Sequence, residues 1–112
     1  MKILIVIGTR PEAIKMAALI SHFKKDKFFK VKLCITGQHK EMLNQVLDNF
    51  DIKPDFNLRL MKNNQTLTSV TNGTLSGMEK IFKKYIPDIV LVHGDTISSF
   101  AATLASYFKK LP

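Results

Sequence analysis

The sequence predicts an α/β fold in which a parallel β-sheet carries helices on both faces. Short runs of the chain are apolar throughout, as expected for strands that are buried on both sides of a sheet. These runs alternate with longer segments whose apolar residues recur at helical spacing, which is the order of parallel strands joined by helices. With 112 residues, of which 46% are hydrophobic and 23% charged, the chain has a globular composition and the length of one small domain.

The first half of the chain contains two predicted strand–helix pairs. An apolar run that ends at Gly8 predicts the first strand, and Pro11 lies in the first turn of the helix that follows. The second pair leads into a connection that we expect to contain one short strand. The predicted elements are a strand at 3–7, a helix at 11–23, a strand at 31–35, a helix at 41–50 and the connection at 51–60.

The second half contains a long helix and one further strand–helix pair. The long helix begins with polar residues and stops before Pro87. The predicted elements are a helix at 65–84, a strand at 89–92 and a helix at 98–108. No further strand continues the alternation, so we expect an interrupted sheet.

The basic character of the chain does not indicate a nucleic-acid partner. The formal net charge is +8, but the lysines are scattered and many lie at predicted helix ends, where they complement the helix dipole. No arginine-rich or aromatic-interleaved stripe accompanies them. We therefore expect solvated helix ends and no nucleic acid.

The sequence also favours a cytoplasmic protein. The single cysteine, Cys34, lies in an apolar run, so there is no disulfide framework and no metal-type spacing, and we expect a buried small side chain in a reducing compartment. The apolar run at 3–7 is too short for a signal-peptide core or a membrane span. We expect no membrane and no metal.

Three polar loops follow predicted strands: "GTRPE" at 8–12, "TGQHKE" at 36–41 and "HGDT" at 93–96. Ligands of open parallel sheets bind outside the carboxyl ends of the strands, where such loops converge. These three segments are therefore the places where the sequence predicts chemistry.

"GTRPE" is explained in part by helix capping. Thr9 as N-cap and Glu12 three residues later form a capping box that needs no ligand. Arg10 is not explained in this way, because a cation is disfavoured at the positive end of a helix unless an anion shares the site. Lys15, in the second turn, can reach the same region. Anion binding and a plain surface arginine both stay open, and with only Gly8 present the glycine-rich dinucleotide fingerprint is absent.

The other two loops also allow two interpretations. In "HGDT", Asp95 or Thr96 can cap the next helix, or Asp95 can serve as a carboxylate for acid–base chemistry with His93 as a hydrogen-bonding neighbour. In "TGQHKE", Gln38 and His39 can hydrogen-bond a sugar or a base, or can simply be solvated.

Taken together, the motifs resemble a known family. "GTRPEAIKMA" at 8–17, "TGQHKEML" at 36–43 and "PDIVLVHGDT" at 87–96 are similar, in this order and spacing, to the N-terminal part of the bacterial non-hydrolysing UDP-N-acetylglucosamine 2-epimerases. The resemblance runs along essentially the whole chain. It implies a glycosyltransferase-B architecture of two Rossmann-like domains, of which residues 1–112 form a partial N-terminal one without the C-terminal domain.

The resemblance implies an isomerase that converts UDP-N-acetylglucosamine (UDP-GlcNAc) to UDP-N-acetylmannosamine (UDP-ManNAc) for surface polysaccharides. The reaction ascribed to the family eliminates UDP to give 2-acetamidoglucal and then adds UDP back. It requires acid–base carboxylates and cations for the diphosphate, but no metal and no nicotinamide. The resemblance also implies a homodimer in the full-length form.

Site residues follow from the resemblance by position. Asp95 matches a catalytic aspartate, Arg10 an arginine near the UDP phosphates and Lys15 a neighbouring lysine, while Gly8, Thr9 and His93 belong to the matching substrate loops. Gln38, His39 and Glu41 match a loop that binds an allosteric UDP-GlcNAc in some members. Glu41 stands where those members carry a second glutamine and Asn64 where they carry an arginine, so allosteric activation stays open.

Length sets this chain apart from the family, whose members are several times longer and continue into a motif like "HVEAGLRT". We expect the 112 residues alone to have little or no activity. The alternatives are a non-catalytic remnant or partner half-domain of a split sugar-nucleotide enzyme, and a flavodoxin-like or receiver-type domain. A receiver domain would bring an acidic cluster after the first strand, where this chain has Arg10.

Overall fold

The computed structural model describes residues 1–37, 40–60, 62 and 64–112. The predicted alternation of strands and helices is confirmed, with bounds that differ by one to a few residues. The elements are β1 (Lys2–Ile7), α1 (Arg10–Lys25), β2 (Lys30–Ile35), α2 (Lys40–Asn49), β3 (Phe56–Asn57), α3 (Leu67–Lys84), β4 (Ile89–Leu91) and α4 (Ile97–Phe108).

The four strands of the described residues form one parallel sheet in the order β3-β2-β1-β4. β1 lies in the middle and pairs with β2 on one side and with β4 on the other, so that Ile5 is level with both Leu33 and Leu91. The chain moves from β1 outwards to β3 and then crosses back to β4. The switch point of the topology therefore falls between β1 and β4, and the loops that follow these two strands leave the same edge of the sheet side by side.

Side chains on the two faces of the sheet pack into two separate cores. Ile3, Ile5 and Ile7 of β1 face the cluster that includes α1 and α2, whereas Leu4 and Val6 face the cluster that includes α3 and α4. All five of these side chains are buried. The predicted sheet covered on both faces is thus confirmed, and the alternation along β1 assigns each face to one pair of helices.

The burial predicted for Cys34 is confirmed. Cys34 is fully buried on the face covered by α3 and α4, and this burial raises the pKa of its thiol from an ordinary value of 9.0 to about 12. Among the helices in the described part of the chain, none combines the length and the hydropathy that crossing a membrane would require.

Candidate functional site at the switch point

The loop after β1 enters α1 through the predicted capping box. Thr9 is the N-cap, with extended backbone angles of φ −128° and ψ 163°, and Glu12 is the third helical residue. Pro11 lies in the first turn, where its missing N–H leaves no intrahelical bond unmade. The predicted capping box and the place of Pro11 are confirmed.

The carboxylate of Glu12 does more than close the capping box. The side chain is only 2% exposed, and its Oε2 accepts hydrogen bonds from the backbone N–H of Gly8 (3.1 Å), from the N–H of Thr9 (2.6 Å) and from the hydroxyl of Thr9 (2.6 Å). Its Oε1 accepts a fourth bond from the hydroxyl of Thr96 (3.0 Å), which lies in the loop after β4. Glu12 therefore joins the two loops that meet at the switch point.

Capping alone was predicted for Glu12, and its bond to the loop after β4 was not. Nothing in the local sequence distinguishes a capping glutamate from one that also bonds a residue 84 positions away. The strand order would have supplied the signal, because loops that follow adjacent parallel strands are neighbours. That order places β4 directly beside β1.

The "HGDT" loop resolves the choice between its two capping candidates. Thr96 is the N-cap of α4 and accepts a hydrogen bond from the N–H of Ser99 at 3.3 Å. Gly94 adopts a φ of +87°, which turns the chain out of the strand in a conformation that favours glycine. Asp95 is exposed and His93 is half-buried. Since Thr96 caps the helix, the carboxylate of Asp95 is available at the surface of the site.

Small residues pack closely together beneath these loops. Gly8 is buried at the end of β1, and a Cβ atom added there would collide with Ser98 Oγ and lie 2.7 Å from Ser98 Cβ and 2.9 Å from Thr36 Oγ1. The hydroxyl of Ser98 donates to that of Thr36 at 3.3 Å. Thr36 is the first residue of the "TGQHKE" segment, so the base of this loop lies against Gly8 of the first loop and against the first turn of α4.

The cationic candidates stand at the start of α1. Arg10 is its first residue, Lys15 lies in the second turn, and both side chains are exposed. Because Glu12 already accepts from the amides of Gly8 and Thr9, attraction for an anion at this helix end comes mainly from the two side chains and the helix dipole.

The candidates for an allosteric loop are not tested by the geometry. Gln38 and His39 lie outside the described residues, and for Glu41 only its position within α2 is given. Gly37, directly before them, is buried and has a φ of +78°. Among the residues that the structure describes, no group of three or more His, Cys, Asp or Glu side chains is arranged to hold a metal ion.

Fold and site together place the molecule in the Rossmann-like class of α/β proteins, in which ligands bind at the switch point of a parallel sheet. Residues 21–112 match the family model of the UDP-N-acetylglucosamine 2-epimerases. The chain belongs to that family, which confirms the resemblance carried by its motifs.

Similar proteins match the chain from end to end. It is 50% identical over 112 residues to the UDP-N-acetylglucosamine 2-epimerase of Escherichia coli K12, covering 100% of this chain and 30% of that protein. A crystal structure of UDP-GlcNAc 2-epimerase from Neisseria meningitidis bound to UDP-GlcNAc superposes with a TM-score of 0.96 at 50% identity, over 100% of this chain and 30% of the other.

A more distant relative keeps the same fold. The Methanocaldococcus jannaschii UDP-GlcNAc 2-epimerase, in complex with UDP-GlcNAc and UDP, gives a TM-score of 0.91 at 30% identity, over 99% of this chain and 31% of the other. The chain thus spans about 30% of the length of the relatives it matches.

Proposed function

We propose that the protein to which this chain belongs is a UDP-GlcNAc 2-epimerase that interconverts UDP-GlcNAc and UDP-ManNAc. The observation that carries the proposal is the match of the entire chain, with a TM-score of 0.96, to an epimerase structure that holds UDP-GlcNAc. The geometry is consistent with it, because a carboxylate and two cations follow the carboxyl ends of the two strands at the switch point.

The reaction balances without an oxidant or reductant. A base removes the proton from C2 of the sugar, a double bond forms between C1 and C2, and the bond from C1 to the diphosphate oxygen breaks, so that UDP leaves with the electron pair. The product of this half is 2-acetamidoglucal. UDP then attacks C1 while a proton is delivered to the opposite face of C2.

Each candidate residue has a role in this scheme. The exposed carboxylate of Asp95 takes part in the proton transfers, and His93 hydrogen-bonds the ligand beside it. Arg10 and Lys15 stabilise the negative charge that develops on the departing diphosphate. Gly8 and Thr9 shape the loop that presents Arg10, since their amides are taken up by Glu12. The scheme needs no metal and no cofactor.

In this proposal the 112 residues are a partial N-terminal domain and form only one side of the site. Asp95, Arg10 and Lys15 are all exposed. A reaction that releases a glycal and recaptures UDP requires a site that excludes water and holds both fragments, which an open surface does not do. We therefore expect little or no activity from the 112 residues alone, and detectable conversion of UDP-GlcNAc by this chain would overturn that expectation.

The proposal extends to the setting of the longer protein. We place it in the cytoplasm as a homodimer that supplies UDP-ManNAc for surface polysaccharides, and the family resemblance is the support for this. On α4, Phe100, Tyr107 and Phe108 are exposed, which is an apolar surface that further parts of the longer protein or a second subunit would cover.

A chimera tests the proposed activity. Residues 1–112 replace the matching segment of the Escherichia coli relative, and conversion of UDP-GlcNAc to UDP-ManNAc is followed by proton NMR. We expect the chimera to be active. Asp95→Asn should lower kcat by about 100-fold or more, whereas Asp48→Asn, which changes an exposed aspartate on α2, should leave it unchanged.

Two outcomes would count against the proposal. A folded chimera that converts no UDP-GlcNAc, under conditions in which the intact relative does, would refute the activity for these residues. An Asp95→Asn variant as active as Asp48→Asn would remove Asp95 from the acid–base chemistry.

The cations proposed to bind the diphosphate are tested separately. Arg10→Ala and Lys15→Ala should weaken UDP binding, and Lys25→Ala at the far end of α1 serves as the control.

A further inference from the structure

The roles proposed so far give the carboxylate of Glu12 no task beyond accepting from the amides of Gly8 and Thr9, although among the described residues it is the charged group buried at the switch point. Capping at the start of α1 explains three of its four hydrogen bonds. These three, from Gly8 and Thr9, go to Oε2, whereas the bond to Oε1 comes from Thr96.

The bond from Thr96 is not required for capping α4. Thr96 caps its helix by accepting from the N–H of Ser99, as Thr66 caps α3 by accepting from the N–H of Ser69 at 3.0 Å. In both threonines the cap uses the hydroxyl oxygen as an acceptor and does not use the hydroxyl proton. In Thr96 this proton is donated across the site to Glu12.

The position of this bridge in the chain gives it a consequence for the site. Thr9 immediately precedes Arg10, and Thr96 immediately follows Asp95. We propose that Glu12 is a positioning residue of the sugar-nucleotide site, which fixes the loop that carries Arg10 relative to the loop that carries Asp95. The proposal rests on the proposed function, which assigns the diphosphate to Arg10 and the acid–base chemistry to Asp95.

A carboxylate suits this bridge better than an amide. The four groups of the described residues that hydrogen-bond Glu12 are all donors, two N–H groups and two hydroxyls, and a carboxylate presents an acceptor on each oxygen. A glutamine side chain would place an NH₂ group against one of the two sets of donors. Glu12→Gln should therefore break one side of the bridge while preserving the size of the side chain.

The test compares variants of the 112-residue chain by NMR. UDP is titrated into each folded variant, and its Kd is obtained from the shifts of the loop amides. We expect Glu12→Gln and Thr96→Val each to raise the Kd by about three- to tenfold, with a combined effect smaller than the product of the two. Thr96→Ser, which keeps the hydroxyl, should bind UDP like the parent chain.

Thr66→Val is the matched control, because it removes a helix cap of the same kind without touching Glu12. It should lower stability and leave the Kd for UDP unchanged. If Thr96→Val behaves in the same way, with reduced stability and an unchanged Kd, the contact is merely structural and the proposal is overturned. Since the Kd is measured on folded protein, a loss of stability alone does not imitate the expected result.

An open surface that does not hold UDP gives a different result, because the parent chain then shows no saturable shift with UDP at either loop. Failure of the proposed function itself is measured with the chimera. Hydrogen exchange then decides the inference about Glu12: exchange of the Gly8 and Thr9 amides that is about tenfold faster in Thr96→Val than in Thr66→Val supports the bridge between the loops. Equal exchange in the two variants refutes it.

Discussion

At the scale of single residues, the end of β1 admits no side chain. Gly8 is packed against Ser98 at the start of α4 and against Thr36 after β2. A methyl group in this place would collide with the short side chains of Ser98 and Thr36, and Ser98 Cβ cannot move away without its helix backbone. The glycine thus lets α4 approach the central strand closely enough for the loops to meet.

Replacing Gly8 by alanine should lower the free energy of unfolding by about 3 kcal/mol through overpacking. Gly94→Ala is the informative comparison. There a Cβ atom would lie 3.9 Å from Glu12 Cγ in ordinary contact, but the φ of +87° imposes a backbone strain of about 1 to 2 kcal/mol. Urea unfolding of the two variants measures the difference, and a larger loss for Gly94→Ala would contradict the close packing described at Gly8.

Residue identity alone predicted some members of the site and not others. Thr9, Glu12 and Pro11 were assigned to helix capping because that chemistry acts over three or four residues and is visible in the sequence. The bond between Glu12 and Thr96 depends on which strands are neighbours, and no spacing in the chain encodes that. A buried carboxylate that bridges two loops therefore looked like an ordinary cap.

At the scale of secondary-structure elements, the periodicity predicted each strand and helix of the described residues except β3, which was expected only as a short strand within the connection at 51–60. Apolar runs of strand length and helical spacing are local properties, and they located the central strand and its helices to within a few residues. The helix starts were refined by caps, since α3 and α4 begin after Thr66 and Thr96. The strand order and the pairing of β1 with both neighbours required the folded structure.

The cap of α3 is open to direct measurement. Thr66→Ala removes the acceptor for the N–H of Ser69 and should lower the free energy of unfolding by about 1 kcal/mol. Thr68→Ala changes an exposed threonine in the first turn of the same helix, where alanine is the better helix former, and should leave stability unchanged or slightly raised. Urea unfolding distinguishes them, and equal losses would show that the cap does not stabilise the helix.

At the scale of the whole molecule, the two hydrophobic cores lie on opposite faces of the same β-sheet. The core beneath α3 and α4 contains Leu4, Val6 and Cys34 from neighbouring strands, together with Met78 and Phe82 from α3. An ionised thiol in this core would be separated from water by the helices. Burial therefore raises the pKa of Cys34 to about 12, and the folded state keeps the proton at pH values where the unfolded chain has lost it.

The stability of the protein should consequently fall at alkaline pH. Below pH 9 the thiol is protonated in both states and the full stability is present. Between pH 9 and about 12 only the unfolded chain releases the proton, so the free energy of unfolding should decrease by about 1.4 kcal/mol per pH unit from this group. Urea unfolding between pH 8 and 11 measures the slope. Cys34→Ala should show a shallower decline, and identical slopes would contradict the buried thiol.

The bridge between Glu12 and Thr96 also bears on the order in which the molecule assembles. It joins residues 84 positions apart, so it closes a loop that contains most of the chain. The entropy lost on closing a loop rises with its length, and such contacts form only when the intervening segments are already packed. During synthesis the central strand and its first helix emerge early, but their glutamate has no partner until the fourth strand has crossed back beside them. The two loops should therefore acquire their final geometry at the end of folding, after both cores have closed.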